Sequence, residues 1–450
     1  MIKNKISLLL ITCLMHIITI EIFSQDYCKS ICYCCKDICC GCLYNNNKKS
    51  EEELKEELEE EESNLTKEQE RYFDDLLEDF DNNIRNFNDS IFSENSDSTD
   101  AEYTIVKDGP KWKDGILGKG AYGTVYKVKN KEGKIFALKK AFVKEKYSFT
   151  WKNEIQALIK CRKCKNVIKI VDVYKKKEIE KKYIVEDNGE VKGFYYYIIT
   201  ELYDHGDLSD IRSIDNIKSH NIKRYYIILR RIIYQMINAV KQVHDKGIIH
   251  RDISLQNFFI GKDYNLYLGD FGCATEQYDG RCAGNHLYSC VHLQLYLNKK
   301  GNELKQNENF NKLYKFLDIF ALSTSILHLL TGLLWGALIT YDDLINENIT
   351  ADEKWKKIKD KIVENDISEK LSIFRYTNTK CKDNEDVDFN KLQEPEKYKN
   401  LDSNFVNILI KKVFLESNIK TFDVVTIDDF TNSDFYKELE SLVTEEKNLA

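Results

Sequence analysis

The run Gly118-Lys-Gly120-Ala-Tyr-Gly123-Thr-Val125 constrains this chain more than any other eight residues. Its G-x-G-x-x-G spacing serves two unrelated ways of holding phosphate. In one, the glycines open a helix whose N-terminus faces a dinucleotide. In the other, they form a hairpin that folds over nucleotide phosphates. The residues after Gly123 separate the two. The segment TVYKVK alternates and is β-branched, which predicts a strand and not a helix. The hairpin is the expected structure, and its glycines let the backbone approach phosphate oxygens closely.

Such a hairpin needs charges around it. Lys139, in Phe-Ala-Leu-Lys, comes fourteen residues after Val125 and is placed to pair with α- and β-phosphates. Glu154, in NEIQALIK, lies on a predicted helix and can hold Lys139 by an ion pair. Farther on, IIHRDISLQNFFI (residues 248–260) offers Asp252 where a base would sit and Asn257 where a metal ligand would sit. Each charge alone is an ordinary surface group, but the order and spacing together are not. Strand-like segments (ILGKGAYGTVYKV, KIFALKKA) precede helix-rich ones (YYIILRRIIYQMINAVKQVH, LDIFALSTSILHLLTG). That order predicts an α+β chain, a small β lobe followed by a larger helical lobe.

Residues 103–450 resemble a eukaryotic protein kinase domain, of the Ser/Thr type in preference to Tyr, with the N-lobe at about 103–203 and the C-lobe at about 204–450. The resemblance implies the bilobal kinase fold, ATP and Mg²⁺ as cofactors, and a protein substrate. It places Thr200 at the gatekeeper position, with Glu201 to Tyr203 offering backbone groups to adenine and Asp207 reaching the ribose. Gly118, Gly120, Gly123, Val125, Ala137, Lys139 and Phe259 complete the implied nucleotide site. His250-Arg251-Asp252 with Asn257 matches H-R-D-x-x-x-x-N, and Asp270-Phe271-Gly272, eighteen residues after Asp252, matches D-F-G. In this pattern Asp252 is the catalytic base, Asn257 and Asp270 hold Mg²⁺, and Lys139 with Glu154 completes the catalytic set. Asp318 resembles the residue that braces the catalytic loop. A small-molecule kinase of related fold is the rival, but such families usually lack this glycine loop and the Arg after the catalytic His.

Two departures matter. Ser254 stands where the family usually has a Lys that touches the γ-phosphate. Its loss removes one cation but neither the base nor the metal ligands, and Arg281 or Lys119 can replace it. The family's G-T-x-x-Y-x-A-P-E is here Gly284-Asn-His-Leu-Tyr288-Ser-Cys290-Val291-His292, so the anchoring Glu is missing. The casein-kinase-one-like group also lacks A-P-E, and NFFIG and LLTGLLW faintly resemble it. A polar insert, NKKGNELKQNENFN, is expected to separate this segment from Asp318. These departures keep open an ATP-binding pseudokinase acting as an interaction protein.

Composition bears mostly on the first hundred residues. Residues 51–100 hold 20 Asp and Glu against Lys55, Lys67, Arg71 and Arg85, while the whole chain carries only −7. No basic run suggests nucleic acid as a partner. Within this acidic extension (51–102), Phe73, Leu76, Leu77, Phe80, Ile84, Phe87 and Ile91 lie on one predicted helical face, suited to docking on the next domain or on a partner. Residues 25–50 hold seven of the 14 cysteines, from Cys28 to Cys42. This density suits disulfides in an oxidising compartment or palmitoylation at a membrane; no His accompanies the thiols to favour a metal. Cys161 and Cys164 lack a second pair and read as ordinary cysteines, and His205, His220, His244 and His328 as loop or packing residues. Asn64, Asn88 and Asn348 sit in sequons that matter only in the secretory pathway.

Residues 1–24 have two early lysines and an uncharged run from Ile6 to Ile20, the length of a signal-peptide core and short of a membrane span of about 20 residues. A signal peptide or an uncleaved signal anchor, and a secreted or membrane-anchored chain, is the expectation. Fused to a reporter in a eukaryotic cell, residues 1–24 should carry it into the secretory pathway. A reporter left in the cytosol would refute this and remove the disulfide reading of the cysteine cluster.

Overall fold

The structure is a computed structural model that describes residues 65–88, 91–93, 101–107, 114–120, 123–144, 148–180, 191–203, 205–209, 222–280, 283–331 and 422–449, with isolated positions between 353 and 417. The chain divides into two units, Met1–Glu61 and Glu62–Ala450, and every described residue lies in the second. The expected signal segment, the cysteine-rich segment, Asn64 and Asn348 fall outside the described residues.

Thr66 starts the first helix, α1 (Lys67–Glu78), through a capping box: its hydroxyl accepts from Gln69 N, and Gln69 Oε1 accepts from Thr66 N. The seven apolar residues expected on one continuous helical face do not share one helix. Asp79 interrupts it, because its carboxylate accepts from Asn82 Nδ2 at 2.7 Å and caps a separate short turn, α2 (Phe80–Asn83). Beyond Ile84 the chain is extended. Asn86 bridges Lys175, and β1 (Phe92–Ser93) runs parallel to β2 (Tyr103–Ile105). Tertiary pairing here overrides helical periodicity.

The sheet continues with β3 (Ile116–Gly120), β4 (Gly123–Asn130) and β5 (Ile135–Lys144). After α3 (Ser148–Lys160) come β6 (Ile170–Glu180) and β7 (Val191–Glu201). Strand order is β1-β2-β4-β5-β7-β6, with β3 paired to β4. Strand alternation gives the sheet two apolar faces. One carries Val128, Phe136, Leu138, Tyr197 and Ile199, with Phe87 stacked on Tyr197 at 3.7 Å. The other carries Phe194, Tyr196 and Ile198 and packs against α3 and α1, where Phe73 and Leu76 are wholly buried.

The helical lobe begins with α4 (Ile222–Asp245), whose Ile232, Ile233, Met236 and Val240 are buried. A hairpin of β8 (Phe258–Ile260) and β9 (Leu266–Leu268) comes next, flanked by the 3₁₀ turns Leu255–Asn257 and Phe271–Cys273. Then come α5 (Val291–Leu304), α6 (Phe310–Thr331), α7 (Ile427–Thr431) and α8 (Asp434–Leu449). The stretch Phe310–Leu330 is apolar enough to cross a membrane, yet 89% of it is buried inside the fold as a core helix. The polar segment expected as an insert is mostly helix: residues 298–304 finish α5, and Phe310 starts α6. Gly301 on α5 is where Tyr278 packs, since a Cβ there would lie 2.3 Å from its hydroxyl.

Phe73 is fully buried in the same cluster as α3 and β7. Phe73→Ala should therefore destabilise the chain by about 3–5 kcal/mol in urea unfolding, the range for a large aromatic removed from a core. A change within about 0.5 kcal/mol, the surface range, would show that the extension is not part of the core.

Candidate active site

Sheet register builds the first half of the site. In β5, Lys139 lies opposite Val125 of β4 and Ile198 of β7. Its ammonium sits 2.5 Å from Glu154 Oε1 on α3 and 3.3 Å from Asp270 Oδ1. Tyr196 of β7 donates its hydroxyl to the other Glu154 oxygen at 2.9 Å. Burial works against the Lys139 charge, but the facing carboxylates raise its pKa well above the usual lysine range. Burial likewise opposes the Asp270 charge, and Lys139 outweighs it, holding this carboxyl below the usual range. Gly272 stands beside the trio: a Cβ there would come within 3.3 Å of Asp270 and 3.7 Å of Lys139 Nζ. Tyr196 escaped the sequence reading. Its signal was the alternation in FYYYIIT, which puts Phe194, Tyr196 and Ile198 on one face.

A single buried carboxylate organises the other half. Asp318 on α6 accepts from the backbone N–H groups of His250 (2.7 Å) and Arg251 (2.6 Å) and faces His244 Nε2 at 2.9 Å. Burial opposes its charge, yet these contacts, His244 foremost, keep it below the usual carboxylate range. They also hold Arg251 in the left-handed region at φ 66°. His244, read from sequence as a packing residue, thus braces the loop through Asp318.

The loop then presents Asp252. Its Oδ1 accepts from the Asn285 amide at 2.7 Å and its Oδ2 from Asn257 Nδ2 at 3.2 Å. Asn257 Nδ2 also donates to the Asp252 carbonyl at 2.7 Å, so both donor contacts of this amide go to Asp252. Asp270 is left-handed (φ 56°), and Phe271 behind it is buried edge-on against His250 at 4.7 Å.

The remaining expected residues fall around this centre. Ala137 pairs with Thr200, and Glu201 closes β7. The Glu201 amide donates to Lys169 O at 3.0 Å, which takes it out of the set available to a base. Tyr203 stacks on Tyr267 at 4.1 Å. Asp207 bridges Phe259, the middle residue of β8; the Asp207 carboxylate also accepts from Ser209 N at 2.8 Å. Among the loop glycines only Gly123 is demanded by the fold: at φ 128°, a Cβ would meet Lys140 O at 2.5 Å. A Cβ at Gly118 or Gly120 would meet nothing within 4 Å. Packing among the described residues does not explain those two glycines. Ala121 and Tyr122 at the tip lie outside the described residues.

Comparison with known proteins matches the protein kinase domain model to residues 113–386. The chain belongs to the protein kinase family. Over 164 residues the kinase is 30% identical to a cell cycle serine/threonine-protein kinase of Saccharomyces cerevisiae, covering 36% of this chain and 20% of that protein. It is 29% identical over 164 residues to cyclin-dependent kinase-like 2 of Homo sapiens, covering 36% and 29%. It is 31% identical over 170 residues to a probable serine/threonine-protein kinase, nek2, of Dictyostelium discoideum, covering 36% of each. The chain thus spans between a fifth and about a third of the length of these three relatives.

The kinase fastens the segment after Asp270 without the usual Glu. Arg251 makes two contacts to Asp279, at 2.8 and 3.1 Å, and donates to the Tyr314 hydroxyl at 2.9 Å. Tyr278 donates to Leu297 O on α5 at 2.7 Å, and buried Gln294 donates to Ala283 O at 2.8 Å. Gly284 (φ 89°) passes so close to the catalytic loop that a Cβ would lie 2.0 Å from Arg251 O. The chain then turns at Asn285, and Tyr288 meets His328 Nδ1 of α6 at 2.7 Å. Of these anchors Arg251, Gly284 and Tyr288 follow a family pattern legible in sequence; Asp279, Tyr278, Gln294 and His328 do not.

Burial holds the His328 pKa below its ordinary value, so its ring is neutral at pH 7 where Nδ1 meets the Tyr288 hydroxyl. A base with a depressed folded pKa contributes stability above its unfolded pKa of about 6.5 and loses it as the pH falls through the folded value. The urea midpoint of the wild type should therefore drop between about pH 7 and pH 5.5, and His328→Phe should flatten that drop. An equally steep drop in the variant would clear His328 of the role.

Proposed function

We propose that this kinase transfers the γ-phosphoryl group of ATP to a protein hydroxyl, serine or threonine in preference to tyrosine. The observation that carries the reading is a convergence: Lys139 held by Glu154 and Asp270 faces the glycine hairpin, while Asp252 is oriented by Asn257 and the Asn285 amide. The Ser/Thr preference rests on the relatives, two of which are named as serine/threonine kinases.

The donor set fits Mg²⁺. Asp270 is a carboxylate held ionised, and Asn257, whose Nδ2 is engaged by Asp252, has an amide oxygen to offer. Magnesium is characteristically held by one or two protein oxygens plus phosphates and water, not by an all-protein cage. Bound there, it would neutralise charge on the transferring phosphate. The chain's own groups do the rest. Lys139, positioned by Glu154, offers its ammonium to the phosphates. Asp252 orients the acceptor hydroxyl and takes its proton at a carboxylate oxygen. Two donors already fix that carboxylate, so little reorganisation is needed.

Ser254 is buried and supplies no cation. One lost electrostatic contact of this kind costs about 10²- to 10³-fold in rate, which slows the reaction without abolishing it. Lys119 is exposed on β3 and remains a candidate replacement; Arg281 lies outside the described residues. Ser254 and the missing A-P-E favour a second reading, an ATP-binding protein that acts through its partners. The signal-like start supports action in the secretory pathway or beyond it, or anchorage to a membrane through residues 1–50.

A transfer assay with Mg-ATP and a mixed peptide panel separates the readings. Wild type should phosphorylate peptides on Ser or Thr, and Asp270→Asn should lower the rate by at least about 10²-fold with the fold intact. Equal transfer by both would refute the mechanism. Absence of transfer in both, with ATP still bound, would establish the second reading.

A further inference from the structure

The residues before the family match pack against α3, the helix that carries Glu154. Trp151 is one turn before Glu154 on α3 and is 2% exposed. Its ring meets Phe80 of the extension at 4.9 Å, edge-on, and on β7 it meets Phe194 at 4.9 Å and Tyr196 at 5.8 Å. Tyr196 is the residue that hydrogen-bonds Glu154. An unbroken line of contacts therefore runs from Phe80 through Trp151 and Tyr196 to the Glu154–Lys139 pair.

The extension grips both ends of α3. Near its start, Lys152 pairs with Asp81 at 3.1 Å. Just past its end, Arg162 pairs with Glu70 at 3.0 Å and Asp74 at 2.6 Å. The extension is itself fixed to the sheet, by Gln69 Nε2 on Val171 O (3.1 Å), the Tyr72 hydroxyl on Val173 O (3.1 Å) and Arg85 on Asp172 (3.2 Å). Phe87 N and Arg85 O complete the attachment on the two sides of Lys175. Side chains of α1, α2 and the loop after them thus tie α3 to β6.

We propose that residues 65–88 are a built-in positioning element for α3: by packing on Trp151 and pairing with Arg162 they hold Glu154 against Lys139, and phosphoryl transfer depends on them. Phe80 and Arg162 are positioning residues, since neither touches Lys139. The inference rests on the kinase reading for its effect on rate, but its structural half does not. The acidic residues of the α1 face serve here as specific partners of a cation at the end of α3. A kinase carrying this element needs no separate partner to seat the helix.

The test uses the full chain and two readouts. One is kcat and KM in the transfer assay. The other is the acylation rate of Lys139 by an N-hydroxysuccinimide ester, followed by peptide mass spectrometry; it needs no catalysis. Releasing Lys139 from Glu154 leaves a freer, more nucleophilic amine. Phe80→Ala and Arg162→Gln should each lower kcat, Phe80→Ala by about tenfold, with a smaller change in the KM for ATP, and each should speed Lys139 acylation. Phe80→Leu, which refills most of the space, should restore both. Phe430→Ala, a comparable deletion in the core of the helical lobe, should change neither in the folded fraction. If Phe80→Ala does not fold, Arg162→Gln carries the test. Unchanged Lys139 acylation in the folded variants would overturn the proposal. So would parallel effects in Phe430→Ala. Absence of transfer by the wild type would sink the kinase reading alone and leave the acylation result to decide this one.

Discussion

The ion trio of Lys139, Glu154 and Asp270 is the constraint on which the rest of this kinase depends. Each member comes from a different element: β5, α3 and the turn after β9. None is stable alone in its place. Glu154 is almost wholly buried, and removing one member of a buried charge pair costs about 3–5 kcal/mol because the other is left uncompensated. The trio can exist only when sheet, helix and turn are all seated. It therefore reports the arrangement of the site. The Tyr196 hydroxyl and the space left by Gly272 are consequences, one satisfying the spare Glu154 oxygen and the other keeping the trio free of side-chain atoms.

A second buried carboxylate, Asp318, does for the backbone what the trio does for side chains. It collects two consecutive amides and a histidine, so the loop bearing Asp252 can hold a left-handed residue next to that carboxylate. The strain has a use, since it directs the Asp252 carboxylate to the Asn285 amide and to Asn257. Among the described residues, the segment after Asp270 is held by several separate contacts. Arg251–Asp279, Tyr278–Leu297, Gln294–Ala283 and Tyr288–His328 each fasten a different point. Distributing the anchor in this way is compatible with losing any single family residue.

The extension shows how far a family pattern can understate a domain. The match starts at residue 113, yet the aromatic residues of α1 and α2 share a core with α3 and β7. Acidic composition alone reads as a solvated face. Paired with Arg162 and Lys152, part of that acidity becomes structural. The apolar residues at helical spacing were visible, but not the break at Asp79, because an Asp that caps a new turn and an Asp inside a helix look alike until Asn82 is seen to meet it.

The sequence by itself determined the lobed α+β order, the glycine hairpin and the identities of Lys139, Glu154, Asp252, Asn257 and Asp270. These residues were legible because the glycine, H-R-D and D-F-G runs come in a recognisable order, and because strand alternation marks where the hairpin lies. It also pointed to Asp318. It did not determine that Tyr196 steadies Glu154, that His244 steadies Asp318, that Asn285 orients Asp252 through its backbone, or that the polar stretch 298–311 is mostly helix receiving Tyr278. The first three of those contacts join residues from 33 to 74 positions apart through groups common on any surface. Only the tertiary structure decided them, because a hydroxyl, an imidazole or a backbone amide acquires a function when burial leaves it one partner.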